Sequence, residues 1–190
     1  MNIAFKEWAI VVEALGQGAQ TVVIRKGGIH ESGGRFQLEH SEFLLFPTQF
    51  HQQREWVTRE AQNRFDQTPS PHEVDGNVPI AYAARVIAAA EVHDFGAIKR
   101  LRSLHIWSEE LLAQRFAWNE EPMVHAVFLE VSRLSSPVDL PLKPSYAGCK
   151  SWIELETQVE TSNSSPVLGP SLLQENLRIF NDALRSPSQK

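Results

Sequence analysis

Three short stretches of this chain carry residues that could do chemistry. In FQLEHSEFLLFPTQFHQQ, residues 36–53, Glu39 and His40 stand side by side and His51 follows beyond Pro47. Imidazole and carboxylate ligate zinc and other transition metals, and they also serve as polar contacts or as a general base. His30 and Glu31 lie a few residues upstream, so five possible ligands fall in one region. No pair has the i, i+4 spacing that would place two ligands on one helix face. On a regular strand Glu39 and His40 point to opposite faces, so His40 pairs better with His51 than with its own neighbour.

The second stretch is Arg25-Lys26-Gly27-Gly28. Two cations precede two glycines at the end of a β-rich run. The glycines would let backbone N–H groups approach an anion while Arg25 and Lys26 supply charge. It is not a phosphate loop of the G-x-x-x-x-G-K-[ST] type. The third is YAGCKSW, where Cys149 adjoins Lys150, a neighbour that lowers a thiol pKa at close range, and Ser151 is an alternative hydroxyl. The ordinary role of a lone cysteine beside a glycine is a small buried filler. A further basic cluster, Lys99, Arg100 and Arg102, lies in GAIKRLRSLHIW.

These residues need elements to hold them. EWAIVVEAL and TVVIR flank a glycine-bearing GQGAQ, which reads as a β-hairpin, with a helix over 4–15 as the competing reading. Phe36, Leu38 and His40 alternate with polar residues, a half-buried strand. Phe43 to Phe46 are all apolar and require cover on both faces, and Pro47 is expected to end that ladder. HQQREWVTREAQNRF favours helix, with Trp56 and Phe65 as anchors. IAYAARVIAAAEV allows helix by its alanines and strand by its Val and Ile spacing. SEELLAQRF is a helix with Ser108 as N-cap and two acids in its first turn. MVHAVFLEVSRL is a strand, SSPVDLPLKP is extended by its prolines, and GCKSWIELE is a short strand. SLLQENLRIFNDALR carries an apolar stripe of Leu172, Leu173, Leu177, Phe180 and Leu184.

Composition sets outer bounds. With 42% hydrophobic and 22% charged residues over 190 positions, the chain can bury a core without metal or disulfide staples. One cysteine allows no internal disulfide and suits a reducing compartment. Glu7 and Glu13 interrupt the first apolar stretch, so it is not a signal peptide, and no run reaches the ~20 apolar residues of a membrane helix. A net charge of −5 argues against a general nucleic-acid coat, while a local basic patch could still bind phosphate.

FKEWAIVVEALGQG, RKGGI, EHSEFLLFPTQFHQ and YAGCKSWIEL together resemble the bacterial DUF1802 family, over about Phe5 to Leu155. The resemblance implies no activity, cofactor or catalytic residue. The residues themselves predict a cytoplasmic α+β domain over 1–156, with a mainly antiparallel sheet, flanking helices and an internal break near 67–79. A linker over 157–170 and an amphipathic tail helix over 171–185 follow. The function expected is binding of a phosphate-bearing or other anionic ligand, nucleotide or nucleic acid among them. Arg25, Lys26, Gly27 and Gly28 would hold the anion, and Glu39, His40 and His51 would give polar contacts. Two alternatives stand beside it: a metal-dependent hydrolase or nuclease using His40 and His51, and an adaptor that docks or self-associates through the tail helix. The residues name no cofactor and leave open whether the protein is an enzyme.

Overall fold

The first strand is covered on both faces, and this sets the architecture. β1 (Ile3–Trp8) pairs in parallel with β3 (Glu42–Thr48) and antiparallel with β6 (Trp152–Glu154). Phe5, Phe43 and Leu45 pack in one hydrophobic cluster, while Ala4, Leu44 and Phe46 pack in another. That alternation is the period-2 pleat of a sheet between two apolar layers, which is why Phe43 to Phe46 are all apolar and all buried. The computed structural model describes residues 1–26, 37–65 and 76–185.

The expected hairpin does not form. Residues Ala9–Gly16 are a helix, α1, and β2 (Val22–Arg25) pairs with β5 (Val124–Pro141) rather than with β1. Every residue of α1 except Glu13 is buried. A helix covered all round shows no 3.6-residue stripe, and its burial outweighs the β preference of Ile10, Val11 and Val12. The helix stops at Gly18, whose φ of 73° is the left-handed conformation that glycine adopts without strain.

The half-buried strand expected from Phe36, Leu38 and His40 is absent over residues 37–40, and Phe36 lies outside the described residues. Residues 37–40 are irregular, Leu38 is exposed, and the Gln37 carbonyl accepts the Trp152 indole N–H. β3 starts at Glu42, where its partner β4 (Asn77–Val92) first aligns through Arg85. Pro47 lies inside β3 instead of ending it. Pairing with β4 stops at Leu44 while pairing with β1 runs on to Thr48, so one side of β3 at Pro47 has no β4 ladder to interrupt.

The Ala-rich run is β4, which pairs antiparallel with β5 over most of its length, with irregularities between Ile80 and Tyr82 and between Val86 and Ala88. α2 (Arg59–Phe65) precedes it, and α3 (Phe95–Arg100) and α4 (Glu109–Ala117) connect it to β5. The Ser108 hydroxyl caps α4 by accepting the Leu111 N–H. Residues 157–170 lead from β6 to the tail. Along the way the Val159 N–H donates to the Met1 carbonyl and β7 (Ser165–Pro166) pairs with β5. The tail helix, α5 (Pro170–Leu184), buries Phe180 and Ala183 and leaves Leu172 exposed. Gly76 precedes β4 directly; the rest of the Pro- and Asp-rich break lies outside the described residues, apart from Asn77, Val78 and Pro79 in β4 itself.

The strands lie in the order β2-β5-β4-β3-β1-β6, with β7 also beside β5. The fold is α+β with a mixed, mainly antiparallel sheet, since among the described strands only β1 and β3 run parallel. Four strand spacings separate β2 from β1, roughly 19 Å across a flat sheet. Yet Arg25 at the end of β2 reaches Glu7 in β1 at 3.2 Å and Ser151, just before β6, at 2.7 Å. The sheet therefore curls until its two ends face each other across a seam. No helix among the described residues is long and apolar enough to cross a membrane.

Candidate functional site

At that seam lies a cleft of ≈390 Å³, a volume within the ~300–1,000 Å³ range of ligand pockets. Lys6, Glu7 and Trp8 of β1, Ile24 and Arg25 of β2, and Thr48 of β3 contribute strand ends. Leu111, Gln114 and Arg115 of α4 and the following Trp118 form one wall, and Gly148 to Ser151 form another. Phe50, His51 and Trp56 complete the lining.

Five of these side chains are cations, Lys6, Arg25, Lys26, Arg115 and Lys150, and one is a carboxylate, Glu7. They do different work. Lys6 Nζ donates to the carbonyls of Tyr146 and Gly148, both at 2.7 Å, and burial lowers its pKa. It fixes the 144–151 segment, where Gly148 takes a φ of 85°. Lys26 Nζ donates to the carbonyls of Phe116, Glu121 and Met123 and so fixes the segment after α4. Arg115 lies over the rings of Trp8 and Trp107, at 5.2 and 4.9 Å, and donates to the Ile24 carbonyl. Burial brings its pKa down to about 10, against the pull of Glu7, so it stays cationic at neutral pH. Arg25 spans the seam between Glu7 and Ser151 and lies over the Phe5 ring, with its side chain 21% exposed. Lys150 is exposed. Arg25 and Lys150 can thus meet a ligand, while Lys6 and Lys26 position backbone and add to the field.

The cleft also carries aromatic rings. Trp8 and Trp56 stack with centroids 5.9 Å apart. Phe50 and Trp118 are exposed, at 51% and 64%. His51 packs its ring on Phe50 at 4.0 Å and takes a φ of 60°, a conformation uncommon outside glycine. The Thr48 hydroxyl accepts the Phe50 N–H and helps to hold this turn.

Of the residues singled out in the sequence, Arg25, Lys26, His51, Cys149, Lys150 and Ser151 line the cleft. His40 and Glu39 do not. His40 packs edge-on to Trp152 at 5.1 Å, and Glu39 is exposed. His40 and His51 are therefore not brought together. Gly27, Gly28, His30 and Glu31 lie outside the described residues. Among the described residues no three His, Cys, Asp or Glu side chains gather as a metal site. Cys149 is exposed rather than a buried filler. The second basic cluster is elsewhere: Lys99 pairs with Glu109, and Arg100 pairs with Asp94 and donates to the Ala183 carbonyl in α5.

Sequence reasoning passed over Lys6, Glu7, Arg115 and Trp118. One signal was available for the first two: adjacent charges inside the apolar run IAFKEWAIVV, which a buried strand keeps only if both are compensated. For Trp118 the signal was a large ring directly after a helix, outside its apolar face.

A family model described as "Domain of unknown function (DUF1802)" matches residues 4–178, so the match reaches into α5, beyond the Leu155 limit drawn from the sequence. Among solved structures the chain is similar to the ASCH protein of Zymomonas mobilis and to two point mutants of it. The first mutant has 13% identity and a TM-score of 0.49, over 81% of this chain and 87% of that one. The second has 15% and 0.48 over 81% and 89%, and the unmutated protein 12% and 0.46 over 93% and 92%. None of these values supports an argument about the cleft. A comparison with curated proteins finds no match.

Proposed function

The chain belongs to the DUF1802 family, whose description assigns no activity, and we propose from the cleft itself that the protein binds a phosphate-bearing anion at the sheet seam. Nucleotides and nucleic acids are members of that ligand class. One observation carries the reading: among the described residues, five cations and a single carboxylate line one cleft of a chain whose net charge is −5. Against that acidic background the local excess of positive charge draws anions to this place and not to the surface at large. Arg25 offers a guanidinium fork held in position by Glu7 and Ser151, and Lys150 offers an exposed point charge at the rim.

Titration with inorganic tripolyphosphate tests this directly. Binding is expected at low salt and should weaken as salt rises. Lys150→Ala should reduce affinity about 1.4- to fivefold, the range of one exposed ion pair. Arg25→Lys should reduce it more, because the planar fork is lost while the charge stays. Absence of binding at low salt, or binding indifferent to both substitutions, rejects the proposal.

A further inference from the structure

Building on the anion reading, we infer that the ligand is an unpaired nucleic-acid strand whose bases stack on Trp118 and on the Phe50–His51 pair. Among the described residues the exposed large hydrophobics are Leu38, Phe50, Trp118, Leu142 and Leu172. The two aromatic members of that set both line this cleft. They come from separate segments, one after β3 and one after α4, so local sequence does not force them together.

Both rings sit on fixed backbone. Lys26 ties down the carbonyls on either side of Trp118, those of Phe116 and Glu121, and the Trp118 N–H donates to the Arg115 carbonyl. The Phe50 N–H donates to the Thr48 hydroxyl, and the left-handed turn at His51 brings its ring onto Phe50. Solvent-facing rings on hydrogen-bonded backbone, beside cations, match the chemistry of a single strand: each base offers a flat face, and each phosphate offers a charge. A duplex hides its base faces. An acidic peptide would use Arg25 and Lys150 but has no flat partner for two rings. A mononucleotide has one base for two platforms.

The test compares four probes on the full chain: a single-stranded oligonucleotide, its duplex, tripolyphosphate and poly-glutamate. The single strand should bind tightest and quench tryptophan fluorescence. With Arg25 and Lys150 as its phosphate contacts, its log-affinity should fall against log-salt with a slope of roughly −1.4. Trp118→Ala and Phe50→Ala should each weaken the strand about 5- to 140-fold, the range of one stacked base, and weaken tripolyphosphate far less. Trp118→Phe should recover most of the loss. Equal binding of strand and duplex, or equal loss for strand and tripolyphosphate in Trp118→Ala, overturns the stacking inference and leaves the anion site standing. Poly-glutamate binding as tightly as the strand overturns it in favour of an acidic peptide. Failure of every probe at low salt removes both readings.

Discussion

His105 is a buried titratable side chain whose pKa burial lowers. It is 6% exposed, neither ring nitrogen has a hydrogen-bond partner among the described residues, and burial, aided by Arg102 and Arg115, holds its pKa down at about 4. The unfolded chain takes up the proton near the ordinary value of about 6.5. Above that pH both states are neutral and the titration of His105 adds no pH-dependent cost. Below it the unfolded state binds the proton first, so stability falls until the folded pKa near 4 is reached. The loss is on the order of 3 kcal/mol. Denaturant midpoints of wild type and His105→Leu measured between pH 7 and pH 4 check this: the wild-type curve should fall more steeply, and parallel curves would remove His105 as the cause. At this scale the sequence marked Arg25 and Lys26, which line the cleft, while the two glycines beside them lie outside the described residues. It was not legible where partners are distant. The carbonyls that occupy Lys26 belong to Phe116, Glu121 and Met123, about ninety residues on. His40 and His51 looked like a pair because they are close in sequence, and the irregular start of β3 separates them.

Among the elements, α5 depends most clearly on packing. An isolated helix of this length is marginal in water, and its stability here comes from its apolar stripe. Phe180 meets Phe128 of β5 at 5.6 Å, and Arg100 of α3 donates to the Ala183 carbonyl near its end. Phe180→Ala should cost about 3–5 kcal/mol. A chain ending at Glu156 should expose the surface that α5 covers, melt at lower temperature and self-associate in sedimentation. An unchanged melt and a monomeric truncated chain would contradict that role for the helix. The stripe of α5 and the Ser108 cap of α4 were readable because each face or end has its own polarity. α1 was misread because it is apolar all round, and β4 was ambiguous because alanine suits either state. Only its pairing with β3 and β5 decided the matter.

On the scale of the whole molecule, the site is a product of closure. Strands β2 and β1, distant in the sheet order, meet only because the sheet curls, and Arg25 joins them through Glu7. No sequence period encodes that approach, which is why Lys6, Glu7, Arg115 and Trp118 could not be assembled with Arg25 beforehand. The fold class, by contrast, follows from interspersed strands and helices without a regular alternation. The central claim is that the seam cleft is where anions bind. Hydrogen–deuterium exchange of the full chain with and without tripolyphosphate tests it most directly. The account predicts slower exchange at residues 48–52, 116–123 and 148–151, the segments that frame the cleft. Slower exchange confined to residues 99–102, or no change at the seam under conditions where tripolyphosphate binds, would contradict it.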